Sequence, residues 1–345
     1  MKNLRIIIVS ILVAFSLGVF ITYFVKKFNP FEPVSSVMIK PDTYPKEQRS
    51  DKSLSTSENN SIKSKSISNP ISYSNAGLVK GTVEALSKIE VESWDTHFPD
   101  QAKPLFTTLK HQLRDLILTK LKSESSTLQD PKSIETKIIL ELEQEGIKIG
   151  NPWTDNTEDL YGKYLYGSIY QINIEQPKQH PELIVATTSL GVCCGEDTSF
   201  YLFRKKDSTW ELIMEQEAND YDDVDGAHGQ FSYAISSANK QNDFFVVTAN
   251  VNPWCTSNWQ SLRYTVLREG SWPSHPQIIL NASESIYLGN YLGDGDLAYK
   301  LDVKSNSFTL TFEGDASLED IDDGIVSRLH TTKFKINGLE ASRIP

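Results

Sequence analysis

The stretch Ser199-Phe-Tyr-Leu-Phe-Arg-Lys-Lys-Asp-Ser-Thr-Trp-Glu-Leu-Ile-Met214 decides the fold class. Apolar and aromatic residues fill both of its arms, and Lys205-Lys-Asp-Ser-Thr209 places turn residues between them. Such arms on either side of a short polar turn predict a strand, a turn and a second strand. A β-hairpin therefore lies near the middle of the chain, and the flanking sequence is interpreted around it.

Strand-like runs continue on both sides of this hairpin. The predicted strands lie at 163–174, 182–190, 198–206, 209–217, 230–237, 243–251, 260–268, 277–281, 284–288, 297–304, 307–314 and 330–337. Turn residues separate them at the spacing of an antiparallel all-β domain. Residues 151–345 are therefore predicted to form one antiparallel β domain.

Two segments of this region, Leu183-Ile-Val-Ala-Thr-Thr and Phe245-Val-Val-Thr-Ala-Asn, are weakly similar, and each precedes a Cys-containing loop and a hairpin. The pattern resembles the blades of a β-propeller, but a dozen strands make only about three blades, against the usual four to eight or so. A sandwich or an irregular layered sheet is the alternative. The chain also resembles uncharacterised exported bacterial proteins that share Asn252-Pro-Trp-Cys-Thr-Ser and Tyr287-Leu-Gly. This second resemblance implies no function.

A helical subdomain is predicted over residues 77–150. Between 104 and 122, Leu and Ile recur every three or four residues, which predicts an amphipathic helix with Lys110, Arg114 and Lys120 opposite its apolar stripe. A second helix is expected to start at Asp130 as N-cap and to stop near Gly146. Residues 77–93 fit a helix or a strand equally well.

The N-terminal region predicts a membrane anchor followed by a tether. Ile6 to Val25 is an uncharged run of about 20 residues, long enough to span a hydrocarbon core of about 30 Å. A cleavable signal has a shorter apolar region and a small-residue cleavage site, which this run lacks. Residues 1–27 are therefore predicted to be an uncleaved signal anchor in the cytoplasmic membrane, with the remainder exported to the periplasm or the extracellular space. The Ser-rich segment 28–76 is predicted to be a disordered linker.

The charge distribution excludes one class of partner. Residues 151–345 contain 28 Asp and Glu against 14 Lys and Arg, a balance of −14, whereas residues 1–150 carry +3, which together give the net charge of −11. Nucleic-acid binding requires clustered cations facing phosphates, so it is excluded for this half.

The three cysteines are Cys193, Cys194 and Cys255. Adjacent Cα atoms are about 3.8 Å apart, closer than the roughly 4.4–6.8 Å of a relaxed disulfide, so a bridge between Cys193 and Cys194 would be strained. In an exported protein we expect a Cys194–Cys255 disulfide. A thiol-redox role is the alternative, although the chain lacks a Cys-x-x-Cys motif.

An acidic loop follows the hairpin and gathers seven oxygen donors: Glu215, Glu217, Asn219, Asp220, Asp222, Asp223 and Asp225. Ca²⁺ takes about six to eight oxygen ligands, which makes Asp220, Asp222, Asp223 and Asp225 candidate metal ligands. The EF-hand spacing fails, and a solvated turn is the other interpretation. Glu217 and Asp222 with His228 are candidates for hydrolysis by paired carboxylates.

Trp254 and Trp259 lie on either side of Cys255. Aromatic rings beside small polar groups form a stacking platform for a sugar or a peptide, whereas tryptophans beside a cystine also pack over it. Both interpretations stay open.

These observations predict an α+β, mostly β protein with a transmembrane helix, a short helical subdomain and an antiparallel β domain that is an incomplete propeller or a sandwich. No catalytic motif is recognised, so the leading hypothesis is a membrane-anchored binding module for a protein or glycan ligand. A calcium-supported hydrolase using residues 215–228 is the second hypothesis, and a thiol-redox protein is the third.

Overall fold

The structure is a computed structural model, and it describes residues 74–89, 97–124, 130–150, 166–192, 195–219, 221, 227–239, 243–253, 257–288, 297–316 and 327–345. The predicted anchor and all but the last three residues of the predicted linker lie outside these ranges. Within them, no helix combines the length and the apolar character that a bilayer crossing requires.

Three helices precede the strands in the described part of the chain: α1 (Asn75–Leu86), α2 (Lys103–Ser123) and α3 (Pro131–Gln144). α1 decides the ambiguous segment in favour of a helix, which begins where Ser74 accepts a hydrogen bond from the amide of Gly77 at 3.1 Å. α3 begins as predicted, since the carboxylate of Asp130 accepts from the amide of Lys132 at 3.1 Å.

Twelve strands follow in the described residues. They are β1 (Ile169–Glu175), β2 (Leu183–Val192), β3 (Gly195–Lys206), β4 (Thr209–Gln216), β5 (Phe231–Ile235), β6 (Val246–Val251), β7 (Trp259–Trp272), β8 (His275–Tyr287), β9 (Tyr299–Lys304), β10 (Ser307–Asp315), β11 (Ser327–Asn337) and β12 (Glu340–Ile344). Every pairing between neighbours is antiparallel. The prediction of a mostly β, antiparallel fold with a few helices is confirmed.

The strands form three four-stranded sheets, each a meander of consecutive strands. Sheet 1 contains β1 to β4, sheet 2 contains β5 to β8, and sheet 3 contains β9 to β12. The hairpin that decides the fold class is β3–β4. Its turn places Asp207 at φ 54°, a left-handed conformation that Asp tolerates better than most residues do.

Two details of the strand prediction are wrong. The strands predicted at 277–281 and 284–288 are one strand, β8, because Asn281-Ala-Ser283 pairs with Arg263 to Thr265 of β7 instead of turning. Small polar residues resemble a turn in sequence, but a long partner strand supplies the hydrogen bonds that keep them extended. The last strand, β12, was not predicted.

The elements stack in layers, with the helices on sheet 1, sheet 1 on sheet 2, and sheet 2 on sheet 3. Leu113 and Ile117 of α2 belong to one buried cluster with Ile184 and Phe203 of sheet 1. A smaller cluster joins the opposite face of sheet 1 to sheet 2, and a third joins sheets 2 and 3. The helices and sheet 1 therefore share a core.

Lys110 corrects the prediction for α2, because it lies on the buried face of the helix and is 0% exposed. Its ammonium is 2.6 Å from the Asp197 carboxylate, which is equally buried, and donates to the carbonyl of Ala218 at 2.6 Å and to the hydroxyl of Tyr221. All three N–H donors therefore have acceptors. Tyr221 in turn donates to Asp197.

This ion pair fixes α2 against β3 and holds the segment after β4 beside them. A buried charge without its partner is strongly destabilising, whereas a complete pair with all hydrogen bonds satisfied is tolerated. The ion pair thus adds a specific polar contact to the apolar core that the helices share with sheet 1.

Replacing Lys110 by Met should lower the free energy of unfolding by about 3–5 kcal/mol, because Asp197 is left buried and unpaired. Lys120→Met is the matched control, since Lys120 pairs with Glu141 at the surface of the same helix, where such pairs contribute about 0–1 kcal/mol. Denaturant unfolding of both variants measures the difference. Equal losses in the two variants would contradict this role for Lys110.

Candidate functional site

The two faces of sheet 1 differ in chemistry. Side chains alternate along a strand, so Ile184, Ala186 and Leu190 of β2 face the helices, whereas Leu183 and Val185 face sheet 2. Beyond Val185 the face toward sheet 2 becomes polar.

On this face, Thr187 and Ser189 follow Val185 on β2. On β3, Thr198 pairs with Ser189, and Glu196 lies two residues further toward the start of that strand. Residues that face another sheet are normally apolar, because they form the core between the two sheets. At its polar end, sheet 1 is separated from sheet 2 by a space that the hydrogen bond from Tyr233 to Glu175 crosses.

The result is a cleft of about 320 Å³ between the two sheets. This volume lies at the lower end of the roughly 300–1,000 Å³ of ligand pockets. Amide, hydroxyl and carboxyl side chains of sheet 1 form one wall, and β5 of sheet 2 contributes two aromatic side chains to the other. The lining residues are Gln171, Asn173, Glu175, Thr187, Ser189, Glu196, Thr198, Phe231, Ser232 and Tyr233.

The charge of the cleft is negative or neutral, because none of the described residues that line it is Lys or Arg. Burial raises the pKa of Glu196, against the lowering effect of a hydrogen bond with Ser189. Glu175 accepts a hydrogen bond from the hydroxyl of Tyr233 on the opposite wall. The ammonium of Lys132, which reaches the lining residue Asn173, is itself paired with Glu135 at 2.8 Å.

Part of the hydrogen-bonding capacity of the polar wall is unused. Among the described residues, the side chains of Gln171 and Thr187 have no hydrogen-bond partner. Asn173 accepts from the ammonium of Lys132 at 2.7 Å, which leaves its NH₂ group available. Ser189 and Thr198 hydrogen-bond each other at 2.8 Å.

The two carboxylates of the cleft are far apart. Glu175 pairs with Val185 and Glu196 pairs with Gly191, which places them six residues apart along β2. At about 3.4 Å per residue this separates their backbones by roughly 20 Å. Glycoside hydrolysis requires carboxyl groups about 5–9.5 Å apart, so these two are not such a pair.

Glu217, a predicted catalytic residue, is held by the helical layer. Its side chain is 2% exposed, accepts from the hydroxyl of Tyr201 at 2.7 Å and lies 3.3 Å from Nε2 of His111. Burial raises the pKa of Glu217, and the hydrogen bond from Tyr201 acts in the opposite direction. Glu215, the first acidic residue of the loop, is paired with Arg114 at 2.8 Å.

His228, the second predicted catalytic residue, contacts the Lys110 network through its backbone. Its amide donates to Asp197 at 3.1 Å, and its carbonyl accepts from the amide of Thr198 at 2.8 Å. Nδ1 is buried without a hydrogen-bond partner among the described residues. Burial lowers the pKa of His228 to about 4, so the imidazole is neutral at pH 7.

Glu217 and His228 therefore reach the same buried network by different routes. Position 229, next to His228, requires glycine, because a Cβ there would lie 2.2 Å from the carbonyl oxygen of Val251. This close approach to the end of β6 sets where β5 begins and positions Phe231 in the cleft.

The remaining predicted site residues are mostly outside the described ranges. These are Cys194, Cys255, Asp220, Asp222, Asp223, Asp225 and Trp254, together with Cys193. Trp259 is described, and its ring lies 4.9 Å from that of Tyr287 across the β7–β8 pair, away from the cleft between sheets 1 and 2. Over the described ranges, no group of three or more His, Cys, Asp or Glu side chains is arranged to hold a metal ion.

The cleft residues match no motif in the sequence. One signal was available, since the apolar run of β2 changes from Leu183-Ile-Val-Ala to Thr187-Thr-Ser halfway along a buried strand. A second is the spacing of Gln171, Asn173 and Glu175 along one face of β1. Neither signal shows which layer the polar face meets.

Comparison of the chain with protein-family models, with curated proteins and with solved structures finds no match in any of the three. The geometry of the site is therefore the basis for a functional proposal.

His228→Gln should change how stability depends on pH. Because the folded-state pKa of about 4 lies below the value of about 6.5 in the unfolded chain, the unfolded state takes up the proton first as the pH falls. Between pH 7 and pH 4.5 the wild-type protein should lose about 1–3 kcal/mol more stability than the variant, a range reduced for the partial exposure of the residue.

Denaturant unfolding at the two pH values measures this loss. His275→Gln, at an exposed position of the β7–β8 turn, controls for removing an imidazole. Parallel pH profiles for the wild-type protein and His228→Gln would contradict the prediction.

Proposed function

We propose that this protein is a membrane-anchored, exported binding module without catalytic activity, and that its ligand occupies the cleft between sheets 1 and 2. The observation that carries the proposal is the polar half of sheet 1 at Thr187, Ser189, Glu196 and Thr198. These side chains lie where two stacked sheets would otherwise bury apolar residues.

The chemistry of the cleft supports binding over catalysis. Its two carboxylates are too widely spaced to act on one bond, and Glu217 is already engaged by Tyr201 and His111. Hydroxyl and amide groups with free hydrogen-bonding capacity, facing aromatic rings, form the composition that fixes a polar ligand in place.

The stacking of three meanders supports a propeller-like arrangement over a two-sheet sandwich. Each sheet is built from consecutive strands and packs face to face with the next, as neighbouring blades do. The cleft then lies between the first and second blades.

A ligand panel tests the site. Neutral oligosaccharides, polyamines, uncharged peptides and dicarboxylates are each added to the full chain, and the melting temperature is recorded. At about 100 times its Kd a ligand contributes about 2.7 kcal/mol, which raises Tm by roughly 5–10 °C. We expect a rise with a neutral or cationic class and none with dicarboxylates.

Thr187→Trp should abolish that rise, because the indole fills the cleft. The matched control is Thr309→Trp, since Thr309 is a similarly half-buried threonine on β10 of sheet 3. The proposed site would be contradicted if no ligand class raised the melting temperature, or if Thr187→Trp showed the same rise as the wild-type chain.

The anchor is tested by fractionation of cells that express the full chain. The uncharged run Ile6 to Val25 predicts recovery with the cytoplasmic membrane and digestion of the β domain by protease added to spheroplasts. Ile11→Arg with Val13→Arg should release the chain from the membrane, since each central charge costs about 2.5–3.5 kcal/mol. Recovery of the wild-type chain as a soluble cytosolic protein is the contrary result.

A further inference from the structure

We infer that the cleft between sheets 1 and 2 binds a linear, neutral oligosaccharide, an inference that rests on the proposed function and names the class of its ligand. Shape, charge and the arrangement of hydrogen-bonding groups support it separately.

The cleft is elongated along the strands of sheet 1. Its polar wall runs from Glu196 at one end to Glu175 at the other, roughly 20 Å measured along β2. A volume of about 320 Å³ holds a short segment of an extended sugar chain, whose neighbouring units can follow the wall beyond it.

The polar wall presents side chains in rows. Gln171 and Asn173 on β1 stand beside Ser189 and Thr187 on β2, in that register. A sugar chain offers hydroxyl groups that donate and accept along its whole length, which matches a wall of amides and hydroxyls with both capacities.

The opposite wall supplies apolar contact at a regular interval. Phe231 and Tyr233 are two residues apart on β5, about 6.8 Å along the strand. Both rings also pack against Phe200 of sheet 1, with centroids 6.3 and 5.1 Å from its ring, and both remain partly exposed. Flat aromatic faces bury the C–H surface of sugar rings, and the combination of such faces with oriented polar groups provides affinity together with orientation.

Charge favours a neutral ligand. None of the described lining residues is Lys or Arg, and the ammonium of Lys132, which donates to the lining residue Asn173, is paired with Glu135 at 2.8 Å. Acidic glycans and phosphorylated ligands therefore find no unpaired cation among these groups. Burial raises the pKa of Glu196, against the lowering effect of a hydrogen bond with Ser189. The carboxylate of Glu175 accepts a hydrogen bond from the hydroxyl of Tyr233.

An extended peptide is the competing class of ligand, and the backbone of sheet 1 argues against it. Peptides add to sheets through the free hydrogen-bonding edge of a strand. β2 and β3 are paired on both sides, and at the edge strand β1 the amide of Ile174 donates to Glu135 of α3 at 2.7 Å. Sheet 1 therefore offers side chains and not a free strand edge to the cleft, and at β5, the edge strand of sheet 2, the side chains of Phe231, Ser232 and Tyr233 line it.

The test is isothermal titration calorimetry of the full chain with defined probes. The neutral hexasaccharides are hexamers of β-1,4-glucose, α-1,4-glucose and β-1,4-N-acetylglucosamine, and the comparison probes are spermine and a capped, uncharged hexapeptide. At least one hexasaccharide should bind to the wild-type chain.

Two variants test whether that ligand binds in the cleft. Thr187→Ala removes one hydrogen-bonding group, and Phe231→Leu keeps an apolar side chain but removes the flat ring, so each should weaken binding about 2- to 10-fold. Thr309→Ala on sheet 3 should leave the affinity unchanged, and unaltered unfolding curves show that the variants are folded.

The other outcomes separate the two proposals. If spermine or the hexapeptide binds and Thr187→Ala weakens it, the binding function stands and the oligosaccharide inference is overturned. If a hexasaccharide binds both cleft variants as tightly as the wild-type chain, the ligand lies elsewhere and both proposals fail. If none of the probes binds the wild-type chain, both are likewise overturned.

Discussion

A buried ammonium group imposes the strictest constraint on this fold. Lys110 is inaccessible to water, so each of its N–H groups requires an acceptor, and Asp197, Tyr221 and Ala218 provide them. These acceptors come from β3 and from the segment after β4, which are brought together only when α2 lies across sheet 1. An interaction of this type gains little net energy compared with an apolar core, but it tolerates few alternative arrangements.

The cleft is lined by the opposite face of β3, the strand that carries Asp197. Asp197 points to the helices, and its neighbours Glu196 and Thr198 point to sheet 2, because successive side chains alternate. The apolar end of that face, at Leu183, Val185 and their neighbours on β3 and β4, packs on sheet 2 and holds the two sheets together. The cleft at the polar end can remain open because the apolar end already holds sheet 1 against sheet 2.

The sequence was sufficient for the elements whose signals are local. The β3–β4 hairpin, the N-cap of α3 and the antiparallel class follow from turn residues, a capping side chain and alternation. β8 was divided in two because Asn281-Ala-Ser283 has the composition of a turn, and only its pairing with β7 keeps it extended.

Lys110 and the cleft were missed for a different reason. Lys110 follows Phe106 by four residues and precedes Leu113 by three, which is the spacing of the buried stripe, but a lysine at that position is normally assigned to solvent. Its partner Asp197 is 87 residues further along the chain, and no local pattern connects them. The cleft likewise arises from residues on β1, β2, β3 and β5 that become neighbours only after the sheets stack.

One face of β3 carries Asp197, the counter-ion of Lys110, and the other carries Glu196 and Thr198 of the cleft wall. Because side chains alternate along the strand, the two faces limit which sequence changes β3 tolerates. A one-residue insertion or deletion in this strand would exchange its faces, turning Asp197 toward sheet 2 and Glu196 toward the helices. Lys110 would lose its counter-ion in the same step that removed the polar wall. Single substitutions can alter either face alone, but the length of β3 is fixed by both together.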